Sequence, residues 1–205
     1  MNRGRHDVVA VGLTGGIGAG KSTALAMFGE LGALAVSADE LVHALYLQPE
    51  CSAGLVAHFG PAVLDACGAI DRRRLANSVR GRPEELVWLE KLTHPRVAEE
   101  IERHIREAPA DSVVVCEVPL LFESRYQYLF DLIVTIEADR ENRRRRSVHR
   151  FGPEMFSELE GLQASSEQRV AGSDLAFSND GDPDRLREFV RRAYERAREL
   201  LQEGR

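Results

Sequence analysis

Residues 15–22 read Gly15-Gly16-Ile17-Gly18-Ala19-Gly20-Lys21-Ser22, the G-x-x-x-x-G-K-S pattern of a Walker A phosphate loop. Such a loop constrains the fold because it works between a buried strand and the N-terminus of a helix, where backbone N–H groups converge on an anion. Both flanks meet that demand. Val8, Val9, Ala10, Val11, Gly12 and Leu13 form an apolar, β-branched run suited to a buried parallel strand. Ala24, Leu25, Ala26, Met27 and Phe28 are helix formers running on to Gly29 and Leu31, and Gly32 is placed to cap that helix. In this setting Lys21 reaches the β- and γ-phosphates of a nucleotide and Ser22 holds Mg²⁺.

The rest of the chain alternates strand with helix, which predicts an α/β fold of the P-loop NTPase type: a parallel sheet flanked by helices. Ala33-Leu34-Ala35-Val36 reads as a second strand, with Ser37-Ala38-Asp39 at its carboxyl end. Ligands of open parallel sheets bind at that end, so Asp39 is expected near the phosphate loop. It also suits an N-cap of the helical stretch Glu40 to Leu47. Ser112-Val113-Val114-Val115-Cys116 is a further buried strand ending in Glu117. An acid there resembles a Walker B carboxylate that supports Mg²⁺, or it accepts hydrogen bonds from loop amides. Leu132 to Ile136 and Leu175 to Ser178 complete the sheet, and Asn179-Asp180-Gly181 turns the chain into a closing helix begun by Asp182-Pro183.

Two stretches fall outside the alternation. Residues 48–91 hold short amphipathic helices and no strand; with 40–47 they form a helical, substrate-covering insertion over about 40–92. Arg72, Arg73 and Arg74 start one of these helices, where they serve as anion contacts or as a solvated helix start. Thr93-His94-Pro95 is expected to begin a new long helix, with His94 either structural or a substrate contact. From 139 to about 170, two helices meet at Phe151-Gly152-Pro153, the second running from Glu154 to about Val170. The first carries Arg143, Arg146 and Arg150 on one face, which suggests a mobile lid over phosphates. Arg144 and Arg145 point elsewhere, so at least two of the four consecutive arginines belong to a solvated face. The core then comprises about 8–39, 93–138 and 171–205.

At 205 residues, 43% hydrophobic and 29% charged, the chain has an ordinary globular balance. No apolar run approaches the ~20 residues of a membrane span. The net charge of −6 disfavours a general nucleic-acid binder. Cys51, Cys67 and Cys116 form no C-x-x-C, consistent with reduced thiols in a cytoplasmic protein and no zinc site. The basic residues before strand one lack a cleavage-site pattern, so a signal peptide is not expected.

The order of motifs resembles the dephospho-CoA kinase family over nearly the whole chain. The resemblance rests on Leu13 to Thr23, Ala38-Asp39, His58-Phe59-Gly60, Asp71-Arg72, Trp88 to Pro95, Val118-Pro119-Leu120-Leu121-Phe122-Glu123, the arginine helix, Gln163, Arg169 and Ser178-Asn179-Asp180-Gly181. It implies that ATP phosphorylates the ribose 3′-hydroxyl of dephospho-CoA, the last step of coenzyme A synthesis. It implies Asp39, Lys21 and Arg146 as catalytic groups. Gly16, Ile17, Gly18, Ala19, Gly20, Lys21, Ser22 and Thr23 would hold ATP phosphates, and Asn179 and Gly181 would line the adenine pocket. Asp39, His94, Arg150 and Arg72 would contact the substrate, and Ser22 and Glu117 the Mg²⁺. No membrane and no obligate protein partner are implied. This chain departs from the family pattern with Ser37 where an acid is common, His43 where an arginine is usual, and Glu117 in place of Asp. The rival enzyme reading is another small-molecule P-loop kinase, acting on a nucleoside monophosphate or a sugar. A GTPase switch would need Asn-Lys-x-Asp, and Asn179-Asp180-Gly181-Asp182 lacks the lysine.

Overall fold

In the computed structural model, which describes residues 7–203, the chain divides into two compact units, Ala38–Glu100 and the remainder. The basic residues 1–6 lie outside the described residues. The larger unit is built on strands β1 (Val8–Gly15), β2 (Leu34–Ser37), β3 (Ser112–Glu117), β4 (Leu132–Glu137) and β5 (Leu175–Ser178). All neighbours are parallel, in the order β2-β3-β1-β4-β5. The chain leaves β1 toward one side of the sheet for β2 and β3 and later fills the other side with β4 and β5. The carboxyl end of β1 is therefore the topological switch point at which open sheets bind ligands. Ser37, Glu117 and Leu13 fall on one register row across β2, β3 and β1, which sets the acid of β3 beside the strand that leads into the phosphate loop.

One face of the sheet buries Val9, Val11, Leu13, Val113, Val115, Val134 and Ile136 against α1 (Lys21–Glu30) and the closing helix α9 (Pro183–Glu203). Helix α1 offers Ala24, Met27 and Phe28 to that core, and α9 a stripe of Leu186, Val190, Ala193, Ala197 and Leu201. The stripe follows the 3.6-residue period, so the closing helix is held by burial of one face. Helix α1 ends as the sequence suggests: Gly32 follows the last turn at φ +97°, a conformation that costs a side chain free energy.

The smaller unit holds α2 (Ala38–Leu47), α3 (Pro49–Phe59), α4 (Arg72–Val79) and the first part of α5 (Pro83–Glu107). Leu45, Tyr46, Cys51, Leu55, Val63, Ile70 and Leu75 are buried. The His58 ring stacks on Trp88 with centroids 3.8 Å apart while its Nε2 meets Glu85 Oε2 at 2.5 Å. Asp71 caps α4, accepting from Arg73 N at 2.8 Å and Arg74 N at 3.0 Å; these N–H groups hold its carboxyl below the ordinary range.

Two expectations about helices are corrected. Thr93-His94-Pro95 does not begin a helix; α5 runs unbroken for 25 residues with Pro95 inside it. Proline forfeits one backbone bond, but Thr93 Oγ1 donates to Leu89 O at 2.9 Å nearby, and Val97, Ala98 and Ile101 are buried just beyond. Burial of that face outweighs the single lost bond. Conversely, the stretch 154–170 is not one helix. Helix α6 (Arg140–Phe151) is followed by α7 (Pro153–Gly161), and a break at 162–165 precedes α8 (Ser166–Ala171). Ser165 and Gln168 form a reciprocal capping box that starts α8 afresh.

Helix α8 is fastened by a buried ion pair. Arg169 donates Nε and Nη2 to the two Glu137 carboxylate oxygens at 2.6 and 3.0 Å, with side chains 4% and 9% exposed. Removing one partner strands the other charge, so Arg169→Met is expected to cost about 3–5 kcal/mol. Replacing both by apolar residues should cost less than that single change, and urea unfolding of the three proteins checks the order.

Candidate active site

The phosphate loop follows from β1 with almost no slack. Gly15, its first glycine, is still the last residue of the strand, at φ +145°, and a Cβ there would collide with the Ile136 carbonyl oxygen of β4. Gly18, at φ +75°, lies so close to α6 that a Cβ would meet Ser147 Oγ and the Arg143 carbonyl oxygen. Bare backbone is thus required where the loop passes between β4 and the arginine helix. The loop closes with Ala19 N donating to Gly16 O at 3.1 Å. Gly20 precedes α1 without a side-chain cap, leaving helix N-terminal N–H groups for an anion.

Lys21 is buried and folds back over the loop, its Nζ donating to Gly15 O and Gly16 O at 3.0 Å each. Its ammonium is thereby fixed over the bend of the loop. Ser22 Oγ donates to Glu117 Oε1 at 3.3 Å, and Glu117 is buried at the end of β3. A hydroxyl and a carboxylate one hydrogen bond apart are hard oxygen donors of the type Mg²⁺ takes, with water and phosphate oxygens completing its shell. Among the described residues no cluster of three or more His, Cys, Asp or Glu forms a metal cage. Such sites use one or two protein oxygens plus the nucleotide, so the pair fits the ion.

The turn after β5 is tied into the same place. Asn179 is buried and donates Nδ2 to Ala19 O at 2.7 Å. Its backbone N donates to Glu137 O at 2.7 Å. Arg146, although exposed, lies over the loop, with Nη2 to Asn179 O at 3.0 Å and Nη1 to Gly18 O and Ala19 O at 3.5 Å each. Gly181 is exposed two residues on, at φ +130°. Asp139 caps α6, and its own N–H donates to Asp180 Oδ1 at 2.9 Å, a bond that holds the Asp180 carboxyl below the usual carboxylate range.

The arginine run separates by role. Arg143 is buried: Nε donates to Ala138 O at 3.1 Å and Nη2 to Glu160 Oε1 at 2.9 Å, and its side chain lies against Gly16. It clamps α6 to α7 beneath the loop, a structural part that its sequence position on the Arg146 face does not reveal. Arg144 pairs with Glu141, and Arg145 bonds Asn142 on its own helix, as expected of solvated positions. The side chain of Arg150 lies outside the described residues. Three expected substrate residues fall in the smaller unit. Asp39 is exposed in the first turn of α2, Arg72 is exposed in the first turn of α4, and His94 is half-buried in α5. Burial holds the His94 imidazolium below its ordinary pKa, with Glu90 one turn earlier opposing the shift. Helix α2 begins at Ala38, so Asp39 does not cap it, and that alternative is corrected.

One residue at the loop carries more than the sequence suggests. Gln163, in the break between α7 and α8, accepts from Ile17 N at 2.8 Å and donates Nε2 to Gly15 O at 3.2 Å and Pro119 O at 3.0 Å. The serine-x-x-glutamine capping signature at 165–168 would have placed that break, and hence Gln163, outside a helix.

A five-stranded parallel sheet with this loop at its switch point and an acid at the end of the adjacent strand defines a P-loop phosphotransferase of the small-molecule kinase class. The profile of the dephospho-CoA kinase family matches residues 9–184, and the chain belongs to that family. A dephospho-CoA kinase from Sodalis glossinidius is 35% identical over 190 residues, 91% of this chain and 90% of the relative. The crystal structure of TT1252 from Thermus thermophilus matches with a TM-score of 0.81 at 29% identity, covering 93% of this chain and 97% of that one. The dephospho-CoA kinase from Campylobacter jejuni shares the fold at a TM-score of 0.63 and 22% identity, over 93% and 98% of the two chains. The chain is accordingly a kinase, with ATP as the donor its family uses.

Proposed function

We propose that the chain transfers the γ-phosphoryl group of ATP to the 3′-hydroxyl of the dephospho-CoA ribose, giving ADP and CoA, the final step of CoA biosynthesis. The observation that carries this reading is the phosphate loop itself, with Lys21 held across its bend and Ser22 beside Glu117, in a chain of the dephospho-CoA kinase family. In the transfer a bond forms between the ribose oxygen and Pγ, and the bond from Pγ to the β–γ bridging oxygen breaks. Asp39 accepts the hydroxyl proton and aims the oxygen in line; it follows two residues after Ser37, at the end of β2. Lys21 and the loop from Gly16 to Thr23 bind the phosphates, and Arg146 meets the charge that develops on transfer. Ser22 and Glu117 hold Mg²⁺, which supplies neutralisation of phosphate charge. Asn179 and Gly181 border the adenine, while Arg72, His94 and Arg150 contact the acceptor.

The core at about 8–39, 93–138 and 171–205, the insertion at about 40–92 and the lid at about 139–170 are the working parts of this proposal. A cytoplasmic location is in keeping with Cys51 and Cys116 as buried free thiols; no described helix is long and apolar enough to cross a membrane. No nucleic acid and no obligate protein partner enter the reaction.

The purified protein with ATP and Mg²⁺ is expected to form ADP and CoA from dephospho-CoA, with AMP, gluconate and shikimate as poor acceptors. Turnover of one of those three without turnover of dephospho-CoA would overturn the reading. In the same assay Lys21→Ala should lower kcat about 10²-fold or more, the scale of losing a preorganised electrostatic donor. A raised KM for ATP at near-normal kcat would reduce Lys21 to a binding group.

A further inference from the structure

The reaction scheme leaves Gln163 without a part, yet its carboxamide makes three bonds at the phosphate loop. We propose that Gln163 is a positioning residue that latches the phosphate loop in its triphosphate-receiving form; this rests on the ATP-dependent reading above.

The bonds use both ends of one planar group. The amide oxygen accepts the Ile17 N–H, an interior donor of the loop, at 2.8 Å. The amide nitrogen donates to Gly15 O at 3.2 Å and to Pro119 O at 3.0 Å. Gly15 O is also one of the two carbonyls that hold the Lys21 ammonium. The side chain therefore ties three points together: the end of β1, the crest of the loop, and the chain leaving β3. A loop rich in glycine has many conformations to lose on binding an anion. Pinning it beforehand removes that cost from ATP binding.

The latch is itself held from behind. Ala164 N donates to Glu123 Oε1, and Arg169 Nη1 donates to Ala164 O. Arg169 is in turn locked to Glu137. A residue in an interhelical break thus has a fixed base from which to reach the loop.

The chemistry is specific to a neutral group that donates and accepts. An ionised carboxylate in its place would face the Gly15 and Pro119 carbonyl oxygens with no proton to offer. A protonated carboxyl restores a donor and an acceptor. Gln163→Glu therefore provides a readout that a scaffold role would not give. ATP binding by the variant, relative to the wild-type chain, should recover as pH falls and the introduced carboxyl gains its proton. Gln163→Leu, which can do neither, should show a ratio independent of pH.

The experiment measures ATP and ADP binding by titration calorimetry on the full chain between about pH 4.5 and 8.5, a span that reaches the ordinary glutamate range, with melting temperature and steady-state kinetics alongside. Gln163→Leu should weaken ATP binding about tenfold, the scale of one or two net hydrogen bonds. Its KM for ATP should rise in proportion, with kcat within about threefold, because the latch acts on ground and transition states alike. The KM for the acceptor should be unchanged. Gln163→Glu should bind at least as weakly at pH 8.5 and approach wild type at the acid end. Wild-type affinity for ATP in both variants would overturn the latch, as would a Gln163→Glu ratio flat with pH. If Gln163→Leu fails to fold, the pH series on Gln163→Glu decides alone. A wild-type chain that bound no ATP would instead sink the kinase reading, an outcome distinct from failure of the latch.

Discussion

Replacing Arg146 by alanine is expected to lower kcat by about 10³-fold or more, the range of a well-placed arginine finger supplied in cis, while Arg144→Ala and Arg145→Ala remain within about threefold of wild type. The three residues are consecutive and equally charged, so a diffuse basic field would treat them alike. Their surroundings do not. Arg144 is engaged by Glu141 and Arg145 by Asn142 on the outer side of α6. Arg146 alone of the three reaches across to the phosphate loop. Its anchoring bond is to Asn179 O at 3.0 Å, and its contacts to Gly18 O and Ala19 O, at 3.5 Å, are at the limit of a hydrogen bond. A guanidinium held by one good bond and two weak ones exchanges the weak pair for phosphate oxygens at little cost. Arg146→Lys should rescue only part of the loss, because an ammonium lacks the planar fork. The three alanine variants, assayed together with their melting temperatures, decide the matter; comparable losses at all three would favour the field.

Asp39→Asn is expected to drop kcat by roughly 10²–10⁴-fold, the range for a positioned general base, with little change in ATP affinity. Phosphoryl transfer is loose, so part of this loss would come from aiming the hydroxyl rather than from basicity. Asn keeps the size and one acceptor of Asp but not its charge. The structural cost of the change is small. Asp39 is exposed and lies within the first turn of α2, which already begins at Ala38. Losing its charge there forfeits a helix-dipole interaction of about 0.3–1 kcal/mol, which melting temperature would register as a minor shift. A stable variant with near-wild-type kcat would remove Asp39 from the chemistry, and His94 would be the next side chain to test as the proton acceptor, since burial keeps it neutral at neutral pH.

The sequence by itself determined the parts whose physics is local. An apolar run, an eight-residue loop and a string of helix formers leave a strand, a phosphate loop and a helix as the one consistent local structure. The same holds for Glu117 at the end of its strand, Gly32 at φ +97° after α1, and the one-faced apolar stripe of α9. Where local signals conflicted, tertiary burial decided. Pro95 argued for a helix start, yet α5 continues through it, with Val97, Ala98 and Ile101 buried just beyond. The capping box at Ser165 and Gln168 is written in the sequence, and it starts α8 afresh despite helix-forming residues on either side.

What only the tertiary structure decided was where each of several identical side chains lies. Arg143 and Arg146 share a face by spacing, but the first is spent on Glu160 and Ala138 and the second lies on the phosphate loop. Asn179 proved to be a strut for Ala19, and Gln163, more than a hundred residues from the loop in sequence, holds Ile17 and Gly15. Such contacts carry no periodicity and no spacing rule. They exist because a five-stranded sheet in the order β2-β3-β1-β4-β5 brings the ends of β1, β4 and β5 and the α7–α8 break to one edge, a juxtaposition that no single segment encodes.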